Sequence, residues 1–234
     1  MDVQGKVVVI TGASGALGEV VVRRFGERGA RLALVDRKPD PAPGMLDGLG
    51  EALFMGGTDV TDPSSVERMV EAVIAARGRI DALLNLAGGW RGGTPLHETP
   101  LETWDFVMNL NARSVFVVCR AVIPRMIAQG SGKIVSVAAK SGLQGAANTS
   151  VYNASKSAVI RLTESMAAEL KDHGINVNCV LPSIIDTPAN REQMPKADFS
   201  KWVTPDALAD VLLFLCSEAS RAIHGAAIPV YGRV

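Results

Sequence analysis

The chain is short of the features that mark several functional classes. Among its 234 residues are only three cysteines, Cys119, Cys179 and Cys216, far apart and each set among apolar neighbours. That number and placing argue against a disulfide framework or a zinc site, and the expectation is buried thiols in a reducing compartment. Neither sign of charge is in excess: Lys and Arg total 24, Asp and Glu total 24, and neither forms a long block. An electrostatic footprint for nucleic acid or a membrane is therefore not indicated, and a small-molecule partner is expected. His97, His173 and His224 are scattered without metal-ligand spacing, so no metal is assigned. No charged-then-apolar leader opens the chain, and apolar runs such as VLLFLC are too short to span a bilayer. The reading is of a cytoplasmic protein.

What is present is an alternation. Short β-branched runs recur at 6–11, 31–36, 52–57, 81–88, 133–138, 175–182 and 226–232, with helix-period stretches at about 16–28, 63–77, 102–129, 152–172 and 205–218. Near-continuously apolar strands separated by amphipathic helices imply one α/β domain over 1–234, with a parallel sheet covered on both faces. The stretch RKPDPAPGMLDGLG holds three prolines and three glycines, so only a short helix or a plain loop is expected at 43–50. Residues 182–205 hold four prolines and little periodicity, and a connection that long reads as a substrate loop or lid.

The first strand runs into Thr11, Gly12, Ala13, Ser14, Gly15, Ala16, Leu17 and Gly18 at the start of a helix. Glycines there let the backbone approach a pyrophosphate, which free N–H groups and the helix dipole stabilise. Asp36 stands eighteen residues past Gly18, at the end of the second strand, where a carboxylate can accept hydrogen bonds from adenosine ribose hydroxyls. It would repel a 2′-phosphate, so NAD is the preferred cofactor. Arg37 keeps NADP as the alternative, since its guanidinium could turn towards a phosphate or simply face solvent.

Gly12, Gly15, Gly18, Asp59-Val60, Asn85-Leu86-Ala87-Gly88, Asn111, Tyr152-x-x-x-Lys156 and Pro182…Thr187 follow in order. On these motifs the chain resembles the short-chain dehydrogenase/reductase family from end to end. The resemblance implies a doubly wound Rossmann-type fold with a seven-stranded, mostly parallel sheet. It puts Asp59 and Val60 near the adenine, Asn85, Ala87 and Gly88 beside the cofactor ribose, and Ile185 and Thr187 near the nicotinamide carboxamide. It also implies that Lys156 holds the nicotinamide ribose and that Asn111 positions a water in a proton relay. Helices at 102–129 and 152–172 would then pair subunits into a homodimer or homotetramer. One departure is Ala16, where the family's commoner pattern TGxxxGxG has glycine; the spacing here fits TGxxGxxG.

Tyr152 and Lys156, four residues apart, share a helix face, and a nearby ammonium should lower the phenol's pKa and make Tyr152 the general acid/base. Such a pair on a surface helix, or a lone Asn111 inside one, can also be purely structural. The second departure is that the family's catalytic serine falls on Ala139. Ser136 sits earlier in the strand and Ser141 two residues beyond, so neither stands at the same point. Three further stretches, around Trp90, Ala139-Lys140 and 186–202, look like the corresponding parts of dihydropteridine reductase, a subfamily that works without the serine. Its substrate ring is already electron-poor, so the missing donor matters less. Trp90 and Trp202 are candidates to stack on a flat heterocycle, although a lid tryptophan can instead be a clasp. The leading expectation is an NAD-dependent oxidoreductase for a planar or activated unsaturated substrate. The alternatives are a general alcohol/carbonyl dehydrogenase with a substitute donor and a non-catalytic dinucleotide-binding regulator.

Overall fold

The computed structural model describes residues 2–234. Seven strands, β1 (Val7–Thr11), β2 (Arg31–Val35), β3 (Leu53–Met55), β4 (Ala82–Asn85), β5 (Gly132–Val137), β6 (Ile175–Pro182) and β7 (Ala227–Val230), form one sheet in the order β3-β2-β1-β4-β5-β6-β7. Every pairing is parallel. Successive side chains of a strand point to opposite faces, so a parallel sheet needs apolar residues at both parities. Val7 and Val9 of β1 join α2 (Pro63–Arg77), α4 (Ser114–Gln129) and α5 (Ser150–Leu170) in one core layer. Val8 and Ile10 join α1 (Ala16–Gly26) and α7 (Pro205–Cys216) in the other.

Local chemistry sets where the elements begin and end. Asp62 caps α2 by accepting from the Ser65 N–H at 2.9 Å, Pro63 fills the first turn, and Gly78 closes it at φ 76°. Thr204 caps α7 through the Ala207 N–H. The segment between β2 and β3 forms turns and no helix, its glycines 44, 48 and 50 at positive φ, while Met45, Leu46 and Leu49 half-bury against the α1 side of the sheet. Proline and glycine have removed the crossover helix and left only its apolar contacts.

Two expectations about residues 102–129 need correction. The run at 102–129 is not one regular helix: α3 (Leu101–Met108) passes through a π-helical turn, Asn109–Arg113, into α4. Its most apolar 18-residue window, at mean hydropathy 1.5, is long and apolar enough to cross a membrane, contrary to the reading from shorter runs. Half of that window is buried in the fold, and Val115, Val118 and Val122 lie in the α4 core layer. Residues 182–205, expected as an irregular connection, are built from short pieces. They contain α6 (Pro188–Gln193) and a 3-10 turn at Phe199–Lys201, and they close on themselves where the Asp186 N–H donates to Val203 O and the Val203 N–H to Ile184 O.

Candidate active site

The order of strands reverses between β1 and β4, so their carboxyl ends open a crevice, the usual ligand position in such sheets. Thr11 joins the two ends, its Oγ1 accepting from the N–H groups of Leu86 (3.2 Å) and Ala87 (3.3 Å). Gly12 turns at φ 68°, and a Cβ there would lie 2.9 Å from the backbone of Ala87. At Gly18 a Cβ would meet Gly12 O at 2.2 Å, so this glycine lets α1 start directly against the turn. Gly15 is the N-cap of α1 and no side chain caps the helix. The first-turn N–H groups, at Ala16, Leu17 and Gly18, therefore face a glycine cradle, which fits a dinucleotide pyrophosphate. Ala16 is exposed and its methyl does not fill the cradle.

Asp36 reaches this turn: Oδ2 accepts from the Ser14 N–H and Oδ1 from the Lys38 N–H, both at 3.0 Å. Its carboxylate is thus held beside the place a ribose would occupy. Arg37 is exposed and forms no ion pair among the described residues. Asp59 braces the turn before α2, taking hydrogen bonds from the N–H and hydroxyl of Thr61, and Val60 is buried beneath it.

Asn85 departs from its expected place beside the ribose. Its side chain turns inward, Nδ2 donating to Ser136 Oγ (3.2 Å) and approaching Cys119 Sγ (3.4 Å), and the residue is buried. The amide ties β4 to β5 and α4, and Ser136, which accepts from it, is fully buried. Ala87 and Gly88 do line the crevice. A Cβ on Gly88 would sit 3.1 Å from Asn111 Oδ1 and 3.4 Å from Lys156 Nζ, so three separate segments converge at this point.

Asn111 lies on the π turn, with Oδ1 accepting from Gly89 N–H and Nδ2 donating to Gly89 O, each at 2.9 Å, and to Ser155 Oγ at 3.0 Å. Ser155 in turn donates to Tyr152 O at 2.7 Å. This chain of bonds fixes the β4 loop to α5, and Ser155, a fully buried polar residue inside the Tyr152…Lys156 spacing, is a site residue that sequence reasoning missed. Arg91, also missed, stacks 3.6 Å over the Phe106 ring.

The Tyr152–Lys156 pair is corrected in its electrostatics. Lys156 Nζ donates to Val137 O at 2.8 Å and lies 5.9 Å from the centroid of the Tyr152 ring. Burial, and no lysine effect, governs the phenol, whose pKa is pushed up to about 12. Burial pushes Lys156 down to about 8. The Tyr152 hydroxyl makes no hydrogen bond with any described side chain, and Ala139, buried two residues past β5, offers none. The Ala139 loop is locked onto α5: Ser157 Oγ donates to Gly142 O at 2.6 Å, and a Cβ on Gly142 would meet the Lys156 backbone at 2.9 Å.

Around the mouth of the crevice, Thr187 caps α6 and Asn190 donates to Ile185 O at 2.8 Å, which shapes the strand end where both carboxamide candidates sit. Arg191 forks onto Asp186. Trp90 is 48% exposed and available to a ligand. Trp202 is 6% exposed and tilts against Phe199 at 4.8 Å, so it packs within its own segment and offers no free face for stacking. Among the described residues no His, Cys, Asp and Glu cluster could hold a metal.

The short chain dehydrogenase family model matches residues 6–198. The chain is 33% identical to 2-(R)-hydroxypropyl-CoM dehydrogenase of Xanthobacter autotrophicus, over 97% of each chain. It is 34% identical to the 3-oxoacyl-[acyl-carrier-protein] reductase of Thermotoga maritima, over 99% of this chain and 98% of that one. Among solved structures, NAD+-bound xylitol dehydrogenase superposes with a TM-score of 0.92 at 27% identity, covering 99% of this chain and 100% of the other. With the glycine cradle, the strand-end carboxylate and the tyrosine–lysine pair all in one crevice, the chain belongs to the short-chain dehydrogenase/reductase family and is an NAD(P)-dependent oxidoreductase acting on a small molecule.

Proposed function

We propose that the enzyme uses NADH to reduce a small planar or otherwise activated unsaturated compound, of which a quinonoid dihydropterin is the type. The observation that carries this reading is Ala139: a methyl stands where a hydroxyl would polarise a substrate oxygen, and Ser136 is fully buried within the sheet, where it accepts from Asn85. Loss of such a donor costs a ketone reductase about 10²–10³ in rate, whereas a conjugated, electron-poor ring accepts hydride without it. Exposed Trp90 supplies a flat face for such a ring. Asp36, already aimed at the glycine turn, supports NADH over NADPH.

A bound dihydronicotinamide supplies the hydride. Lys156, with one donor used on Val137 O, keeps two for the ribose hydroxyls. Tyr152, protonated at neutral pH, donates its proton to the heteroatom that gains charge. Asn111 has both amide donors occupied, so water in a relay is left its Oδ1 or main-chain carbonyl.

A second reading, reduction or oxidation at an ordinary hydroxyl or oxo group, is favoured by the names of the three relatives given above, a hydroxypropyl-CoM dehydrogenase, an oxoacyl reductase and a xylitol dehydrogenase. The test is oxidation of NADH and NADPH against a panel holding quinonoid dihydropterin, a quinone and a simple ketone. Faster NADH use, and turnover of the electron-poor rings at least about tenfold above the ketone, is the expected result; equal rates on both kinds favour the second reading. The same proposal has the enzyme acting in the cytoplasm as a homodimer or homotetramer, joined where Phe116 of α4 stands 53% exposed.

A further inference from the structure

At the opposite end of the sheet, where β1, β4, β5 and β6 begin, lies a cavity of about 450 Å³. Its lining carries Lys6, Lys133, Lys171 and Arg221 against two carboxylates, Asp81 and Glu218. For a chain with equal numbers of acidic and basic residues this is a local excess of positive charge. Asp81 cancels little of it, because its Oδ1 is paired with Arg79 (2.7 Å) and its Oδ2 accepts from the Val7 N–H (2.9 Å). Glu218 is mostly exposed and comes only within 4.0 Å of Lys133. His224 is held at both ring nitrogens, Nδ1 3.3 Å from the Val177 N and Nε2 2.7 Å from Ala167 O.

Lys133 is the unusual member. It is 9% exposed and has a single short hydrogen bond, to Asn176 Oδ1 at 2.7 Å. Asn176 is itself held by its amide donating to Arg221 O and Ile223 O, so its oxygen is aimed at the ammonium. A buried ammonium with donors to spare, whose one carboxylate neighbour, Glu218, is exposed and 4.0 Å away, is costly unless an anion offsets the lost hydration. Burial indeed holds Lys133 below the ordinary lysine value. The volume is that of a small-ligand pocket, several times larger than a lone ion requires.

We propose that this cavity binds a small phosphorylated metabolite, its phosphoryl group on Lys133 at the floor, with Lys6, Lys171 and Arg221 around it. A phosphoryl dianion matches several convergent cations better than one carboxylate would. The cavity shares no residue with the crevice at the other end of the sheet, so its ligand would be an effector and not the substrate.

The test uses the full chain saturated with its nicotinamide dinucleotide, so that the phosphate-binding turn at Gly12–Gly18 is filled. Thermal stability is followed as glycerol 3-phosphate is added, with chloride at matched ionic strength as reference. The expected result is a saturable rise in Tm, with apparent affinity at least about tenfold weaker in Lys133→Met. Arg221→Gln with Lys171→Gln, at exposed positions, should weaken it about threefold and keeps the test decisive if Lys133→Met folds poorly. A smaller rise with inorganic phosphate, also lost in Lys133→Met, would locate the recognition in the phosphoryl group. No rise beyond chloride, or the same rise in all variants, overturns the proposal.

Discussion

At Ala139 a buried methyl group stands two residues past β5, and at Tyr152 a phenol stands without a hydrogen-bond partner among the described side chains. Restoring a hydroxyl at the first position should help only substrates that need one. Ala139→Ser is expected to raise kcat/KM for simple ketones by about tenfold or more and leave an electron-poor ring nearly unchanged; equal gains on both would remove the activation argument. Tyr152→Phe should keep NADH affinity within about twofold and lower kcat by about 10²–10⁴, as loss of a general acid does. Fluorescence titration and steady-state rates separate the two effects. Ala139 was read through the family resemblance; Tyr152 and Lys156 were readable from spacing, because residues four apart on a helix share a face. Their pKa values were not, because burial is set by what covers the helix. Asn85 shows the same limit: its place at a strand end suggested a ribose contact, and alternation sent its amide inward to Ser136.

Elements carry the next set of consequences. α1 begins at a turn with no room for a Cβ on Gly18, where the nearest atom would be Gly12 O at 2.2 Å, while Gly15 has 3.3 Å to the same oxygen. Gly18→Ala should therefore weaken NADH binding at least about tenfold and lower Tm, and Gly15→Ala should do markedly less; NADH fluorescence and thermal melts read both. The 182–205 segment is held by Trp202 against Phe199. Trp202→Ala, a buried aromatic truncation costing about 3–5 kcal/mol where fully felt, is expected to raise substrate KM and open 188–201 to protease while Tm changes less than for a core site. Helix and strand positions followed from periodicity to within a few residues. The π turn at Asn109–Arg113 did not, because its cause is tertiary: Asn111 bonds to Gly89 and Ser155, on segments distant in sequence.

For the whole molecule, buried titratable groups tie stability to pH. Lys156, held at about 8, binds its proton less tightly folded than unfolded, where lysine titrates near 10.5. The cost is present in full below pH 8 and is relieved as pH rises through the window from 8 to 10.5. Cys119, Cys179 and Cys216, raised to about 12, 11 and 12, act oppositely above pH 9, where unfolded thiols ionise and stability falls. Between pH 8 and 9 the wild type should gain Tm relative to Lys156→Met, and parallel curves for the two proteins would contradict the assignment.

The sequence by itself determined the parallel sheet, the dinucleotide turn and the Tyr152–Lys156 pair, because each is a matter of residue type at fixed spacing, and through its resemblance to a known family it located the missing serine. Only the tertiary structure decided which side chains reach the crevice. Trp202 became a packing contact within its own segment, Asn85 a strand tie, Ser155 a hidden brace and Lys133 the floor of a second cavity, since burial and hydrogen-bond partners arise from segments that meet only when the chain is folded.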